Sequence, residues 1–209
     1  MNTVIELVDK LRDTCESHAR CNVVEVMGRG AGDIALNTAI ALGATAVVVP
    51  EFPHNDNSIC KKIKKARELG KRSFIVIVSE GVGADYAPAL AKKIQNETGV
   101  ETKFARLAHI VRGGNPTLKD RVLASKMGVF AVEELLRGNS NKVICERNGD
   151  ICAVDINYSH VIDRMYKNKL TEGELDAFSA EDIQRMNDEL DEKRSELLAL
   201  YTTENKINL

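Results

Sequence analysis

The chain has 209 residues, of which 44% are hydrophobic and 29% charged, a composition typical of a folded globular protein. Its formal net charge is only -2, and no basic stripe is interleaved with aromatic residues, which argues against a nucleic-acid-binding protein. No apolar run approaches the roughly 18 residues that a membrane-spanning helix needs. We therefore expect neither a nucleic-acid partner nor a membrane span.

The cysteines and the N-terminal residues indicate in which cellular compartment the protein is expected. The five cysteines are odd in number and scattered, and none forms a C-x-x-C pair, so we expect no zinc cage and no other metal site. The opening residues MNTVIE contain no basic segment and no long apolar run, so they do not resemble a signal peptide. Reduced, scattered cysteines favour a cytoplasmic location.

The first two thirds of the chain alternate between helical and strand patterns. Apolar residues at helical spacing predict a first helix over 4–19, with Asn2 or Thr3 as its cap. Short β-branched runs predict strands, and longer amphipathic segments predict helices. In chain order we expect a strand at 22–26, a helix at 34–42, a strand at 46–49, a helix at 58–69, a strand at 74–78, a helix at 87–98, a strand at 102–108 and a helix at 118–136.

This alternation predicts the fold class. Strands that are apolar on both faces and alternate with helices are typical of a parallel sheet covered by helices. We predict an α/β protein with a three-layer α/β/α, Rossmann-like, mainly parallel sheet, to which a hairpin and C-terminal helices are added. Ligands of such sheets bind at the carboxyl ends of strands. Three polar, glycine-bearing turns follow predicted strands there: MGRGAGD at 27–33, EGVG at 80–83 and HIVRGG at 109–114.

The last third of the chain carries different signals. Asn148-Gly149 lies between two β-rich runs, 142–146 and 152–156, and predicts a hairpin. Ser179, with acidic residues in the following turn, predicts the start of a helix. An apolar stripe continues along that helix at Ile183, Met186, Leu190 and Leu197.

Charge is unevenly distributed along the chain. Residues 171–209 contain 11 acidic and 4 basic side chains, whereas the remainder contains 20 acidic and 25 basic ones. A mildly basic body suits a small anionic ligand.

The first turn combines Gly28, Gly30 and Gly32 with Arg29. Glycines let the backbone approach a ligand, a helix N-terminus attracts anions, and a guanidinium can fork onto phosphate oxygens. The turn therefore fits phosphate binding, although a tight connection with a solvated arginine would contain the same residues. A dinucleotide site, with Glu51 as the ribose ligand, is the weaker alternative, because the glycines run G-x-G-x-G and not G-x-G-x-x-G.

The other two turns also carry groups suited to a sugar phosphate. Glu80 can accept hydrogen bonds from sugar hydroxyls or cap the next helix, and His109 with Arg112 before a double glycine can bind an anion. Taken alone, Lys103 and Arg106 indicate ordinary surface charge. No nucleophile is paired with a base, so the residues predict binding rather than bond cleavage.

Several strings together resemble the bacterial-type 6-phosphofructokinase family. They are SHAR at 17–20, VVEVMGR at 23–29, AGD at 31–33, SEGVG at 79–83, HIVRGGNP at 109–116 and DRVLASKMG at 120–128. They occur in family order and near-family spacing over about residues 3–160. The part resembled is the C-terminal, fructose-6-phosphate-binding half of enzymes that transfer a phosphoryl group to the 1-hydroxyl of fructose 6-phosphate.

The resemblance implies which residues hold the phosphate of the sugar. His109 and Arg112 would bind the 6-phosphate, and Arg20 would reach the same phosphate from a neighbouring subunit, which implies a homo-oligomer. The family's second intersubunit arginine, in an E-T-R segment, is Lys103 here. Lysine is a point charge and not a fork, so affinity or specificity is expected to differ.

The resemblance also implies which residues contact the sugar and the reacting group. Met27, Gly28 and Glu80 would contact the sugar. Arg29 would act catalytically by stabilising charge on the transferred phosphoryl group, since phosphoryl transfer depends on positioning and charge stabilisation. Val111 stands where the family has glutamine.

A family effector site for nucleotide or phosphoenolpyruvate is only partly matched. Lys71 and Arg72 match it, but Thr45 replaces its magnesium-binding acid and Leu69 replaces a basic residue. We therefore expect an effector-site remnant without the family's allosteric control.

The largest departure from the family is that nothing in this chain matches its glycine-rich nucleotide-binding half. In the family a T-I-D-x-D segment of that half carries the catalytic aspartates. Magnesium and ATP belong to the complete enzyme, and we expect this chain to bind neither fully and to be inactive alone. The expected domains are a sugar-phosphate-binding α/β domain at 1–116, a segment at 117–170 that in the family packs on the nucleotide half, and an acidic helical tail at 171–209.

The expected function is therefore that of the fructose-6-phosphate-binding portion of an ATP-dependent 6-phosphofructokinase of glycolysis. Three alternatives stay open: an enzyme, ATP- or pyrophosphate-dependent, completed by a nucleotide-binding partner chain; a non-catalytic sugar-phosphate sensor; and a truncated remnant without formed sites.

Overall fold

The computed structural model describes residues 1–207, which form two compact units. One unit contains residues 1–114 together with the C-terminal segment from Arg194, and the other contains Asn115–Lys193. In the described chain, no helix combines the length and the apolar character that crossing a membrane requires.

The first unit is a four-stranded parallel sheet with helices on both faces. Its strands lie in the order β2-β3-β1-β4, and every neighbouring pair is parallel. The strands are β1 (Cys21–Val26), β2 (Ala46–Val48), β3 (Phe74–Ser79) and β4 (Thr102–Arg106). The helices are α1 (Asn2–His18), α2 (Asp33–Leu42), α3 (Asp56–Glu68) and α4 (Tyr86–Thr98). The predicted α/β class is confirmed.

The central strands are buried along their whole length, which explains their continuous apolar runs. Because side chains alternate across a strand, one face of the sheet packs Val23 and Val76 against α3 and α4. The other face meets α1, where Asn22 contacts the Cys15 sulfur at 2.9 Å. The core is therefore largely aliphatic and lies on both sides of β1 and β3.

The second unit contains a hairpin and helices. Its elements are α5 (Leu118–Leu136), β5 (Lys142–Arg147), β6 (Asp150–Asp155), α6 (Ile156–Tyr166) and the first part of α7 (Ala180–Ile207). Asn148 and Gly149 have φ values of 54° and 92°, and a two-residue hairpin turn with positive φ at both positions matches strand twist. The predicted hairpin is confirmed.

Ser179 starts α7 as predicted. Its hydroxyl accepts a hydrogen bond from the Asp182 amide at 3.1 Å. Along the predicted apolar stripe, Met186, Leu190 and Leu197 are buried.

Several sequence-based boundaries differ from the structure, and three of them have a clear physical reason. Residue Met1, and not Asn2 or Thr3, caps α1, because Thr3 instead donates its hydroxyl to the Gly113 carbonyl at 2.7 Å. The strand predicted at 102–108 ends at Arg106, since Ala108 adopts a left-handed φ of 47° that a strand cannot contain. The strand predicted at 152–156 ends at Asp155, which caps α6 by accepting from the Asn157 amide at 2.9 Å.

Core packing makes a prediction about stability. Phe74 is 1% exposed in the core under α3 and α4, so Phe74→Ala should lower the free energy of unfolding by about 3–5 kcal/mol. Phe104→Ala is the matched control, because Phe104 is 36% exposed on the edge strand and should cost about 1 kcal/mol. Urea unfolding measures both, and equal losses would contradict the assigned core.

Candidate functional site

Three turns converge at the carboxyl end of the sheet, and Glu80 joins two of them. Its Oε1 atom accepts hydrogen bonds from the amides of Gly28, at 3.1 Å, and Arg29, at 2.8 Å. The Ser79 hydroxyl adds a bond to the Ala31 carbonyl at 3.1 Å. The end of β3 therefore fixes the backbone of the turn that follows β1.

Two glycines allow these turns to approach each other. A Cβ atom at Gly81 would lie 2.7 Å from Gly30 Cα, and one at Gly28 would lie 2.2 Å from the Ala31 carbonyl oxygen. Backbone atoms cannot move aside as a flexible side chain can, so these positions need glycine.

Glu51, at the end of β2, also supports the first turn. Its Oε1 atom accepts a hydrogen bond from the Gly32 amide at 2.7 Å. The carboxylate that the dinucleotide alternative would assign to a ribose thus holds the backbone of the turn.

A cavity of about 400 Å³ opens beside these turns. It brings together three of the residues singled out in the sequence, Met27, Glu80 and His109. Its other lining residues are Glu25, Val26, Ala84, Arg106 and Ala108.

Arg106, which the sequence alone indicates as ordinary surface charge, lines the cavity instead. Its Nε and Nη2 atoms donate to the two carboxylate oxygens of Glu25 at 2.7 and 3.2 Å, and Nη2 also donates to the Ala84 carbonyl at 2.7 Å. Hydrogen bonding and attraction to Glu25 raise the pKa of Arg106. Glu25 is 6% exposed within an otherwise largely apolar strand, so a buried carboxylate in need of a partner was the available signal.

Arg29 and Arg112 lie on the turns but not in the cavity lining. Both side chains belong to exposed residues, and Arg29 has a left-handed φ of 49°. Non-glycine residues held in this region store strain and are common at binding sites. Arg112 ends the 3₁₀ turn Ala108–Arg112 that carries His109.

Arg20 and Lys103 lie at the opposite end of the sheet. Arg20 Nε is 2.7 Å from Glu101 Oε2, and Lys103 Nζ is 2.9 Å from Glu101 Oε1. These residues flank the amino ends of β1 and β4, whereas the cavity lies at the carboxyl ends, about 16 Å away for a six-residue strand. One copy of the chain therefore does not bring them to the cavity.

Comparison with known proteins supplies the family. The model of the phosphofructokinase family matches residues 1–135, which is more than half of the chain. The chain belongs to the phosphofructokinase family.

Individual relatives agree with this assignment. Proteins named ATP-dependent 6-phosphofructokinase from Clostridium botulinum and Clostridium acetobutylicum are each 45% identical to it over 170 residues, or 81% of this chain. The match covers 53% of each relative, so the chain spans about half the length of the curated relatives it matches.

Solved structures show the same fold. A phosphofructokinase structure from Saccharomyces cerevisiae matches with a TM-score of 0.71 and 27% identity, over 88% of this chain and 26% of the other. A pyrophosphate-dependent phosphofructokinase from Nitrosospira multiformis matches with a TM-score of 0.59 and 20% identity, over 73% and 43%, a likeness of fold alone.

The two residues that the sequence predicts as an effector-site remnant lie in the loop before β3. Lys71 and Arg72 are exposed, and the pKa of Lys71 is lowered by partial burial and by the positive charge of Arg12. Leu69 is 79% exposed, whereas Thr45 is buried. Lys71 and Arg72 thus form a small basic group in this loop, whereas Leu69 caps the end of α3 and Thr45 lies in a different loop, before β2.

Arg20, Lys103 and Glu101 form a cluster of ion pairs, and this cluster predicts how the Glu101 carboxyl titrates. Hydrogen bonds from Arg20 first, and from Lys103 second, lower the pKa of Glu101 from about 4.5 to about 2. Arg20→Gln should raise this pKa towards 4.5, and Lys103→Met should raise it less. Carbon-detected NMR titration of the Glu101 carboxyl measures the difference.

The sign of the stability effect follows from the lowered pKa. The stabilisation by Glu101 is complete above pH 4.5 and is lost as the pH falls towards 2, so Arg20→Gln should flatten the stability profile in that window. An unchanged Glu101 pKa in both variants would contradict the cluster.

The close approach of the turns that carry Gly30 and Gly81 predicts how an added methyl group changes stability. Gly81→Ala should lower the free energy of unfolding by about 1–3 kcal/mol, because its Cβ would meet the Gly30 backbone. Gly128→Ala, inside α5 with no atom within 4 Å of the added Cβ, should instead stabilise by about 0.5–1 kcal/mol. Thermal unfolding of both variants tests the opposite signs, and a stabilised Gly81→Ala would contradict the packing of the turns.

Proposed function

We propose that this chain binds fructose 6-phosphate as the sugar-phosphate portion of an ATP-dependent 6-phosphofructokinase of glycolysis. The observation that carries the proposal is the cavity in which Met27, Glu80 and His109 meet at the carboxyl end of the sheet. All three are residues that the family resemblance assigns to this substrate.

The 3₁₀ turn provides the phosphate end of the proposed site. His109 and Arg112 are three residues apart, and residues at this spacing lie on the same side of a 3₁₀ turn. A guanidinium binds phosphate oxygens in pairs, and a histidine nitrogen can donate a further hydrogen bond. Thr3 holds the end of this turn by donating to the Gly113 carbonyl, which restrains the backbone that carries His109 and Arg112.

The cavity wall provides the sugar end. Met27 offers an apolar surface to the ring, and Glu80 offers carboxylate oxygens to its hydroxyls. Glu80 Oε1 is already held by two backbone amides, so its carboxylate needs little reorganisation when a sugar binds. Arg29, beside it, would stabilise charge on a transferred phosphoryl group.

We propose that the isolated chain binds this sugar without turnover. Of the two carboxylates in the cavity, Glu25 is paired with Arg106 and Glu80 is bonded to the first turn, so neither is a ready general base. Residues 1–207 bring no three His, Cys, Asp or Glu side chains together as a metal group, and we assign no step to magnesium in this chain. ATP, its magnesium ion and the catalytic base would come from a nucleotide-binding chain.

Two surfaces support association. Arg20 and Lys103, at the far end of the sheet, would serve the phosphate site of a second copy, which makes a homo-oligomer part of the proposal. In the second unit, α5 exposes Val129, Val132 and Leu136, an apolar surface that suits a nucleotide-binding partner.

Calorimetric titration with fructose 6-phosphate tests the binding. The wild-type chain should bind saturably, and Arg112→Ala should weaken binding about 10- to 100-fold through loss of a charge-assisted contact. Arg137→Ala is the matched control and should bind as wild type, since Arg137 is an exposed arginine that caps the end of α5 and pairs with Glu133 and Glu134.

The outcomes separate the alternatives. No binding by a folded wild-type chain, or equal loss in both variants, would contradict the proposed site. A coupled assay with magnesium and ATP should detect no turnover by the chain alone, and turnover at a rate typical of kinases would overturn that part of the proposal.

A further inference from the structure

The β5–β6 hairpin contains a pair of cysteines that the proposed function does not use. Cys145 and Cys152 lie directly opposite each other in the strand register, and their sulfur atoms are 3.5 Å apart. Both residues are partly exposed, whereas Cys15, Cys21 and Cys60 are buried. These two thiols are therefore held in contact and remain accessible to a small reagent.

The tight turn keeps the two thiols in register. Arg147 pairs with Asp150 across the turn at Asn148-Gly149, and two residues further from the turn on each strand Cys145 lies opposite Cys152. A slip by one residue would move every side chain of a strand to the opposite face, so the pairing is strongly specified.

On the side towards the turn, the pair is flanked by polar groups that hydrogen-bond to the helices. Arg147, on the same face of β5, donates to both carboxylate oxygens of Glu189 in α7 at 2.9 Å. The Tyr158 hydroxyl of α6 donates to the same carboxylate at 3.0 Å. These contacts hold the hairpin against the two helices, so the thiols stay together without a covalent link.

We infer that Cys145 and Cys152 are a redox-active dithiol, which low-molecular-weight disulfides oxidise to an intrachain disulfide. One thiol loses its proton, and its thiolate attacks the small disulfide, forming a mixed disulfide and releasing one small thiolate. The second cysteine, deprotonated in turn, attacks the mixed disulfide and releases the second small thiolate. The two protons end on the released thiols, and the two electrons lost by the protein sulfurs reduce the small disulfide.

The second step is the one that the hairpin favours. A sulfur held 3.5 Å from its partner attacks within the same molecule, and such reactions far outpace those between separate molecules. Burial and the contact with Cys145 raise the pKa of Cys152, so its thiol ionises less readily than a free one. We therefore expect the pair to be oxidised slowly, and only when the redox conditions change for a long time.

Oxidation has a defined structural consequence. The bond closes a short loop, residues 145–152, around the turn and fixes the register covalently. Local opening of the hairpin then becomes harder, and the backbone amides of β5 and β6 should exchange with solvent more slowly in the oxidised form.

Redox titration with glutathione tests the inference. The purified reduced chain is equilibrated in buffers with increasing oxidised glutathione, quenched with acid, alkylated and mapped by mass spectrometry. We expect peptides linked through Cys145 and Cys152 to exceed glutathione adducts on either residue about tenfold or more. Cys145→Ser and Cys152→Ser, checked for folding by circular dichroism, should each retain glutathione on the remaining cysteine.

The same experiment can overturn the inference without relying on the variants. A stable glutathione adduct on wild-type Cys145 or Cys152, disulfides between chains, or two cysteines that stay reduced where an exposed reference dithiol is fully oxidised would each contradict it. Unchanged amide exchange in a linked hairpin would contradict the proposed consequence. None of these outcomes depends on the binding of fructose 6-phosphate, so the two proposals fail separately.

Discussion

The hydrogen bonds from the Gly28 and Arg29 amides to Glu80 are the contacts on which the candidate site depends. They join the end of β3 to the turn after β1, and they set where Met27 and Arg29 lie. A carboxylate that accepts from two amides is well placed, because neither amide has a strand or helix partner in a turn of this shape. Glu80 is thus part of the scaffold as well as of the cavity wall. Its position depends in turn on glycine at residue 81, where any Cβ would strike the neighbouring turn.

The Glu25–Arg106 pair holds the end of β4, directly before the turn that carries His109. Glu25 is almost fully buried near the end of the central strand, and its charge is tolerated because Arg106 meets both of its oxygens. A buried carboxylate that loses its partner is strongly destabilising, so β4 must end where Arg106 can reach β1. Arg106 also binds the Ala84 carbonyl, and the pair thereby joins β1 and β4 to the segment after β3. One cavity wall therefore depends on a charge pair between adjacent parallel strands.

The sequence predicted the fold better than it predicted the cavity. Continuous apolar runs such as 74–78 predict a buried strand because burial on both faces removes the need for polar alternation. The turn residues Asn148 and Gly149 likewise predict the hairpin. The partner of Arg106 was missed because Glu25 lies 81 residues away, and sequence spacing shows only neighbours along one element. The cap of α1 was missed for a similar reason, since Thr3 meets Gly113, a tertiary contact that local preference does not include.

The direction of the strands also constrains how the proposed sugar-phosphate site can be completed. Parallel strands place all their carboxyl ends at one edge, so His109 and Arg112 lie at that edge while Arg20 and Lys103 lie at the other. A single chain cannot bend a rigid sheet to bring these two sets of side chains together. A phosphate that used both sets would therefore need the carboxyl end of one copy and the amino end of another. In the single chain Glu101 pairs with both Arg20 and Lys103, and assembly would have to exchange those ion pairs for contacts with the phosphate.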